Sequence, residues 1–269
     1  MTTADDLLQI VADDPAGVLL ALDFDGTLAP IVDDPAAAAV HPRSIAALDR
    51  LGPRLGGLAI ITGRPVAQVR ELGHFDTRPG LKSLEVRGQY GAERWTPETG
   101  VVEGADRHEV VDRLVADLPG LLDAWGAPGA LVEDKGLAVA VHTRGLAPSA
   151  AEAVVGPLRD LATSLDLTFE PGRQVFELRA ASITKGEALR DVVGGLAVHT
   201  VVFAGDDLGD LPAFDALDEL ASRGVATVKV CSASSEQDAL VARSDLVLDG
   251  PEGIADWLVA LADLVDPPA

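Results

Sequence analysis

The chain has 269 residues, 48% of them hydrophobic, enough to fill one large core or two modest ones. Asp and Glu number 43 against 21 Lys and Arg, and the resulting formal charge of -22 repels nucleic-acid phosphates and anionic lipid, so neither is an expected partner. An anionic substrate would need a divalent cation and a few placed basic residues to invert that field locally.

No stretch approaches the roughly 20 apolar residues of a membrane span, and Met1 to Asp14 lacks the basic start and apolar centre of a secretory signal. A cytoplasmic monomer is the expectation. Cys231 is the single cysteine and cannot form an intramolecular disulfide; its place after an apolar run points to an inert buried thiol. The five histidines, His41, His74, His108, His142 and His199, are scattered without zinc-ligand spacing.

The first elements alternate buried strands and amphipathic helices: strand Val18 to Leu22, helix Arg43 to Leu55, strand Leu58 to Ile61, helix Val66 to Leu72, strand Leu84 to Arg87. This order predicts a parallel sheet. Next come helix Arg107 to Leu122, strands Ala130 to Glu133 and Leu137 to Thr143, helix Ser149 to Leu165, and strands Leu167 to Glu170 and Gln174 to Arg179. That is an αββαββ insert, and the alternation of Leu137, Val139 and Val141 with Ala138, Ala140 and His142 predicts a sheet with one face under helices. The first pattern then resumes with helix Lys185 to Val193, strand His199 to Ala204, helix Ala213 to Ser222, strands Val225 to Val230 and Leu246 to Leu248, and helix Ile254 to Val265. The predicted fold is α/β: a doubly wound, mostly parallel core over residues 1–103 and 180–269, interrupted by an α+β cap over 104–179 that acts as a lid.

Chemistry concentrates just past the strands, where side chains of an open parallel sheet converge on one crevice. Asp23 ends one apolar run, Asp25 follows it, and Gly26 lets the backbone turn. Phosphoryl transfer to a carboxylate needs an ionised nucleophile, for which Asp23 is suited, and a group that protonates the leaving alcohol, for which Asp25 is suited. Thr62, Gly63 and Arg64 follow a second run, where a hydroxyl and helix N-terminal amides can bind phosphoryl oxygens; a plain helix cap is the competing reading. Lys185 opens a helix, where the dipole disfavours a cation and a phosphate contact supplies a reason for it. Asp206, Asp207 and Asp210 follow a third run, and such an oxygen-rich cluster suits Mg²⁺, although a solvated acidic turn has the same composition. The conjunction of four such signals in this order is what chance loops rarely supply.

At these residues the chain resembles the haloacid dehalogenase superfamily, whose phosphatases carry a DxD motif, a Ser or Thr, a Lys and an acidic pair in this order. Leu131 to His142, Gly88 to Glu93 and Phe176 to Arg179 narrow the resemblance to the trehalose-6-phosphate phosphatases. The resemblance implies a Rossmann-like core and a Mg²⁺-dependent phosphatase acting on a small sugar phosphate through an aspartyl-phosphate. It implies Asp23 as nucleophile and metal ligand, Asp25 as acid/base whose carbonyl also meets the metal, Asp206 as the other ligand, and Asp207 and Asp210 as supporting carboxylates. Thr62 and Lys185 join the catalytic set. Glu133, Lys135 and Glu177 of the insert would bind sugar hydroxyls, and Gly26, Gly63, Arg64 and Tyr90 complete the expected substrate-binding set. The family usually has His where Tyr90 stands and a Thr-Asp-Glu run where this chain has Gly209-Asp210-Leu211. Both departures leave the nucleophile and ligands intact and bear on the sugar, so a related phosphorylated disaccharide or pseudo-disaccharide stays open beside trehalose 6-phosphate. A sugar phosphomutase and a phospho-accepting receiver module are the remaining alternatives; a receiver needs neither a lid nor a second carboxylate such as Asp25.

Overall fold

The computed structural model describes residues 4–32, 34–104, 107, 109–172, 174–180, 183–233 and 240–267. These fall into two compact units, Met1–Glu103 with Thr184–Ala269, and Gly104–Ile183. His108, one of the scattered histidines, lies outside the described residues.

The first unit begins with helix α1 (Ala4–Asp13), strand β1 (Val18–Leu22), helix α2 (Pro42–Leu51), β2 (Gly57–Ile61), α3 (Val66–Gly73) and β3 (Leu84–Gly88). Two short strands, β4 (Glu93–Trp95) and β5 (Val102–Gly104), end this first part. The second unit holds α4 (Glu109–Ala124), β6 (Leu131–Asp134), β7 (Ala138–His142), α5 (Pro148–Ala153), α6 (Val155–Ser164), β8 (Thr168–Pro171) and β9 (Val175–Arg179). The first unit resumes with α7 (Lys185–Gly194), β10 (Thr200–Gly205), α8 (Leu211–Ser222), β11 (Ala226–Ala233), β12 (Leu246–Asp249) and α9 (Gly250–Val265).

The core sheet has the order β12-β11-β10-β1-β2-β3-β4-β5. Its pairings from β12 to β3 are parallel, and β4 turns back antiparallel on β3. β1 and β10 are buried at every residue, as strands covered on both faces must be. Along β1, Val18, Leu20 and Leu22 join the cluster that includes Leu48 of α2 and Trp257 and Leu261 of α9. Leu19 and Ala21 join the other cluster, with Leu189 of α7 and Phe214 and Leu217 of α8. Each such fully buried Val, Leu or Phe side chain stabilises the fold by about 1.5–3 kcal/mol. The predicted doubly wound core is thus what the chain adopts, and the two carboxyl ends that matter most, of β1 and β10, are neighbours.

The cap sheet has the order β6-β7-β9-β8, antiparallel throughout. Val111, Leu114, Leu118 and Leu122 recur at helical spacing along α4 and pack with Val139, Val141, Phe176 and Leu178. The opposite face carries the partners between them in register, so Glu133, Ala140, Glu177 and Glu170 form one row across all four strands.

Several boundaries differ from the sequence reading. The helix expected over Ser149 to Leu165 is two helices broken at Val154; the Pro157 ring conflicts with the carbonyl four residues earlier, at Ala153. α2 stops at Leu51 instead of Leu55; Pro53 has no N–H with which to carry the helical hydrogen bonds onward. Cys231 lies inside β11 and is buried, where burial pushes its thiol upward in pKa. α1 was not foreseen, although Leu7, Leu8 and Val11 pack it into the core. Among the described residues, no helix is long and apolar enough to cross a membrane.

Candidate active site

The site is assembled where three parallel strands stop. Asp23 follows β1, and its backbone N–H donates to the carbonyl of Ala204 in β10 at 2.8 Å. Asp206 follows β10 and Thr62 follows β2, so the pairing of β1 with both neighbours brings the three residues to one end of the sheet. Gly26 has a φ of +71°, and a β-carbon there would collide with the Asp206 carboxylate. The turn after Asp25 therefore needs glycine on two counts, backbone conformation and clearance.

Lys185 is the hub. The α7 helix begins with a capping box in which Thr184 and Glu187 satisfy each other's backbone N–H groups, and this fixes Lys185 in the first turn. Its ammonium donates to Asp23 Oδ1 at 2.6 Å and to Asp210 Oδ1 at 2.7 Å, all three side chains being buried. The other oxygen of Asp210 accepts from the backbone N–H groups of Asp206 at 2.9 Å and Asp207 at 3.2 Å. Asp207 in turn accepts from the Gly209 N–H at 2.9 Å. Asp210 thus ties the lysine to the loop that carries Asp206.

Asp23, Asp206 and Asp210 each bring a carboxylate oxygen within 4.8 Å of the others. Burial pushes Asp23 well above the ordinary carboxylate range, against the pull of Lys185. Burial also raises Asp206, and the adjacent charges of Asp23 and Asp207 add to it. For Lys185, burial works against the ammonium, but Asp210 and Asp23 outweigh it and hold the group well above its usual value. Three buried carboxylates around one ammonium leave uncompensated negative charge, which is costly in a dry site. All the donors are oxygens, the set that suits a hard cation such as Mg²⁺.

Asp25 has a different partner. Its two carboxylate oxygens accept from Nε and Nη2 of Arg64, both at 2.7 Å. The Thr62 hydroxyl accepts from the Arg64 backbone N–H at 3.1 Å. Thr62 does not cap α3; the Val66 N–H donates instead to Glu93 Oε2 at 2.6 Å. The same Glu93 accepts from the Gln89 side-chain amide at 2.7 Å.

Tyr90 lies on a strained segment. Gln89 and Tyr90 are consecutive left-handed residues, with φ of 47° and 62°, a conformation that costs about 1–3 kcal/mol per non-glycine residue. Backbone bonds from Gln89 N to the Arg64 carbonyl at 2.9 Å and from Tyr90 N to the Thr62 carbonyl at 2.8 Å hold it against the Thr62-Gly63-Arg64 loop. The phenol then covers Gly63, where a β-carbon would sit 2.9 Å from the ring's Cζ and hydroxyl.

In the cap unit, Glu177 is ion-paired with Lys135, and Glu133 lies 2.8 Å from His142 Nε2. Arg179 Nη2 donates to Glu170 at 2.7 Å. The sequence reading named Glu133, Lys135 and Glu177, and left out Glu170, Arg179 and His142, which the strand register sets on the same face. The two-residue period running through Glu177 and Arg179 was the available signal. The sequence reading placed Glu93 in the run Gly88 to Glu93 but assigned it no role, and Ser232, whose buried hydroxyl donates to the Gly26 carbonyl at 2.6 Å, stands in no motif.

The family model described as trehalose-phosphatase matches residues 21–246. A relative from Sinorhizobium fredii, named "Probable trehalose-phosphate phosphatase", is 34% identical over 222 residues, 80% of each chain. A trehalose-phosphate phosphatase from Mycolicibacterium paratuberculosis is 32% identical over 253 residues, 91% of this chain and 62% of the relative, so this chain spans under two thirds of that protein. In fold, the C-terminal domain of a C. albicans trehalose-6-phosphate phosphatase superposes with a TM-score of 0.75 at 21% identity, over 96% of both chains. The chain belongs to the trehalose-phosphatase family.

Proposed function

We propose that this protein is a Mg²⁺-dependent phosphatase that hydrolyses trehalose 6-phosphate to trehalose and phosphate through an aspartyl-phosphate on Asp23. The observation that carries the reading is the buried group of Asp23, Lys185, Asp206 and Asp210 at the ends of β1 and β10. Asp23 and Asp206, with the main-chain carbonyl of Asp25, would hold the cation. When bound, Mg²⁺ would offset charge on the phosphoryl oxygens and on the carboxylates around it.

Within this reading each side chain has a task. Lys185 keeps Asp23 in place and its positive charge favours an approaching phosphate, while Asp210 fixes Lys185. An Asp23 oxygen attacks phosphorus and the ester P–O bond breaks; Asp25 gives its proton to the departing sugar oxygen. Asp25 then takes a proton from a water whose oxygen attacks phosphorus, and the Asp23–phosphorus bond breaks. Thr62 and the neighbouring amides receive phosphoryl oxygens. Glu133, Lys135 and Glu177 of the cap bind sugar hydroxyls and make the cap a lid that excludes water.

Phosphate release from trehalose 6-phosphate, measured beside glucose 6-phosphate and mannose 6-phosphate with and without EDTA, tests this. Strong, EDTA-sensitive preference for the disaccharide is the expected result; indiscriminate or EDTA-insensitive hydrolysis would overturn it. One observation favours a second substrate, a related phosphorylated disaccharide: the Tyr90 phenol packs over Gly63, at the position where the family usually carries His.

A further inference from the structure

The sequence reading put Arg64 among the groups that grip substrate, but both prongs of its guanidinium are already spent. Nε and Nη2 engage the two oxygens of Asp25 at 2.7 Å each, the paired geometry in which arginine fixes a carboxylate's plane as well as its place. The fork is itself held from three sides. Nη1 donates to the Pro35 carbonyl at 3.0 Å and to Gln68 Oε1 at 3.3 Å, and Cζ lies 5.5 Å over the ring of fully buried Phe24. The Arg64 side chain is only 9% exposed. Phe24 separates Asp23 from Asp25, so the arginine is braced against the same turn that carries both carboxylates.

We propose that Arg64 is a positioning residue, which sets the orientation of Asp25 for both proton transfers instead of binding the phosphate. The proposal rests on the phosphatase reading given above. In the first transfer Asp25 gives a proton to the leaving oxygen as the ester P–O bond breaks and the Asp23–phosphorus bond forms. In the second it takes a proton from water as that oxygen bonds to phosphorus and Asp23 is released. A carboxylate freed from its fork rotates about two side-chain torsions, and proton transfer depends on hydrogen-bond reach in a single pose.

The test uses full-length wild type, Arg64→Met and Arg64→Lys, with trehalose 6-phosphate and with 4-nitrophenyl phosphate, whose leaving group departs without a proton. In Arg64→Met, kcat for trehalose 6-phosphate should fall about 100-fold, with KM within about threefold. With the aryl ester, Asp23 is still phosphorylated but water activation is impaired. Rapid mixing should therefore show a burst of nitrophenolate approaching one per site, followed by slow turnover. Arg64→Lys keeps the charge without the fork and should recover only a small part of the loss. A raised KM with kcat retained would make Arg64 a substrate ligand and overturn the proposal. Equal losses on both esters without a burst, or full recovery in Arg64→Lys, would overturn it as well. Failure of wild type to hydrolyse either ester would instead bring down the phosphatase reading and this inference together.

Discussion

In the core, Asp23, Asp206 and Asp210 crowd around a single ammonium, Lys185. On the cap sheet, Glu133, Glu177 and Glu170 each face a nitrogen side chain of their own, in His142, Lys135 and Arg179. The first arrangement is short of positive charge and burial makes the shortage expensive, so it is suited to a cation and a charged substrate. In the second, Glu177 and Glu170 each face a cation and Glu133 faces an imidazole. Such pairs can exchange hydrogen bonds with neutral hydroxyls without first gaining or losing a charge. On the proposed function the difference separates reaction from recognition: the core would act on phosphate, and the cap would suit a sugar.

That division can be broken by substitution. The largest effect should come from Asp23→Asn, which removes the nucleophile: phosphate release should fall by about 10⁴-fold or more. Retention of full turnover would end the aspartyl-phosphate reading. Lys185→Met leaves Asp23 and Asp210 buried without their shared partner, which should cost about 3–5 kcal/mol. A loss under about 1 kcal/mol in a urea titration would mean that the carboxylates do not depend on the ammonium.

A smaller effect sharpens the contrast through pH. Burial raises the folded-state Asp23 and Asp206 carboxyls above their ordinary 3.8. Their contribution to stability is complete below the unfolded value and is lost as pH rises through the folded one. A cation held by the two carboxylates offsets that loss and displaces their protons. The gain in Tm from Mg²⁺ over EDTA should therefore be greater near pH 8 than near pH 5; an equal gain at both would remove these residues from the binding reaction. The smallest change is expected in the cap. Glu133→Ala should lower kcat/KM for the disaccharide phosphate about 10-fold and leave 4-nitrophenyl phosphate within about threefold. Parallel losses on both substrates would erase the distinction between the two regions.

Much of the core was legible because its signals are local. Val18 to Leu22 and Thr200 to Gly205 are apolar runs that stop at carboxylates, and a parallel sheet gathers such ends in one place. The pairings within the site were not legible. Lys185 meets Asp210 across 25 residues of sequence separation and Arg64 meets Asp25 across 39, and no periodicity encodes which charge faces which. β4 and β5, at three residues each, are too short to display an alternation. The polar row of the cap was half visible, since its members alternate within each strand but align only through register.

The order of the core sheet also has a consequence for synthesis. β1 lies between β2 and β10, and every cap strand is translated before β10 begins. Until residues 200–205 emerge from the ribosome, one flank of β1 has no native strand beside it, and Asp23 precedes its lysine by 162 positions. Asp23 is made early and its partners Lys185 and Asp210 late. A chain truncated after the cap would keep the DxD turn and lack Lys185, Asp206 and the strand that carries it. Such fragments expose a bare sheet edge, the state in which incomplete domains associate wrongly.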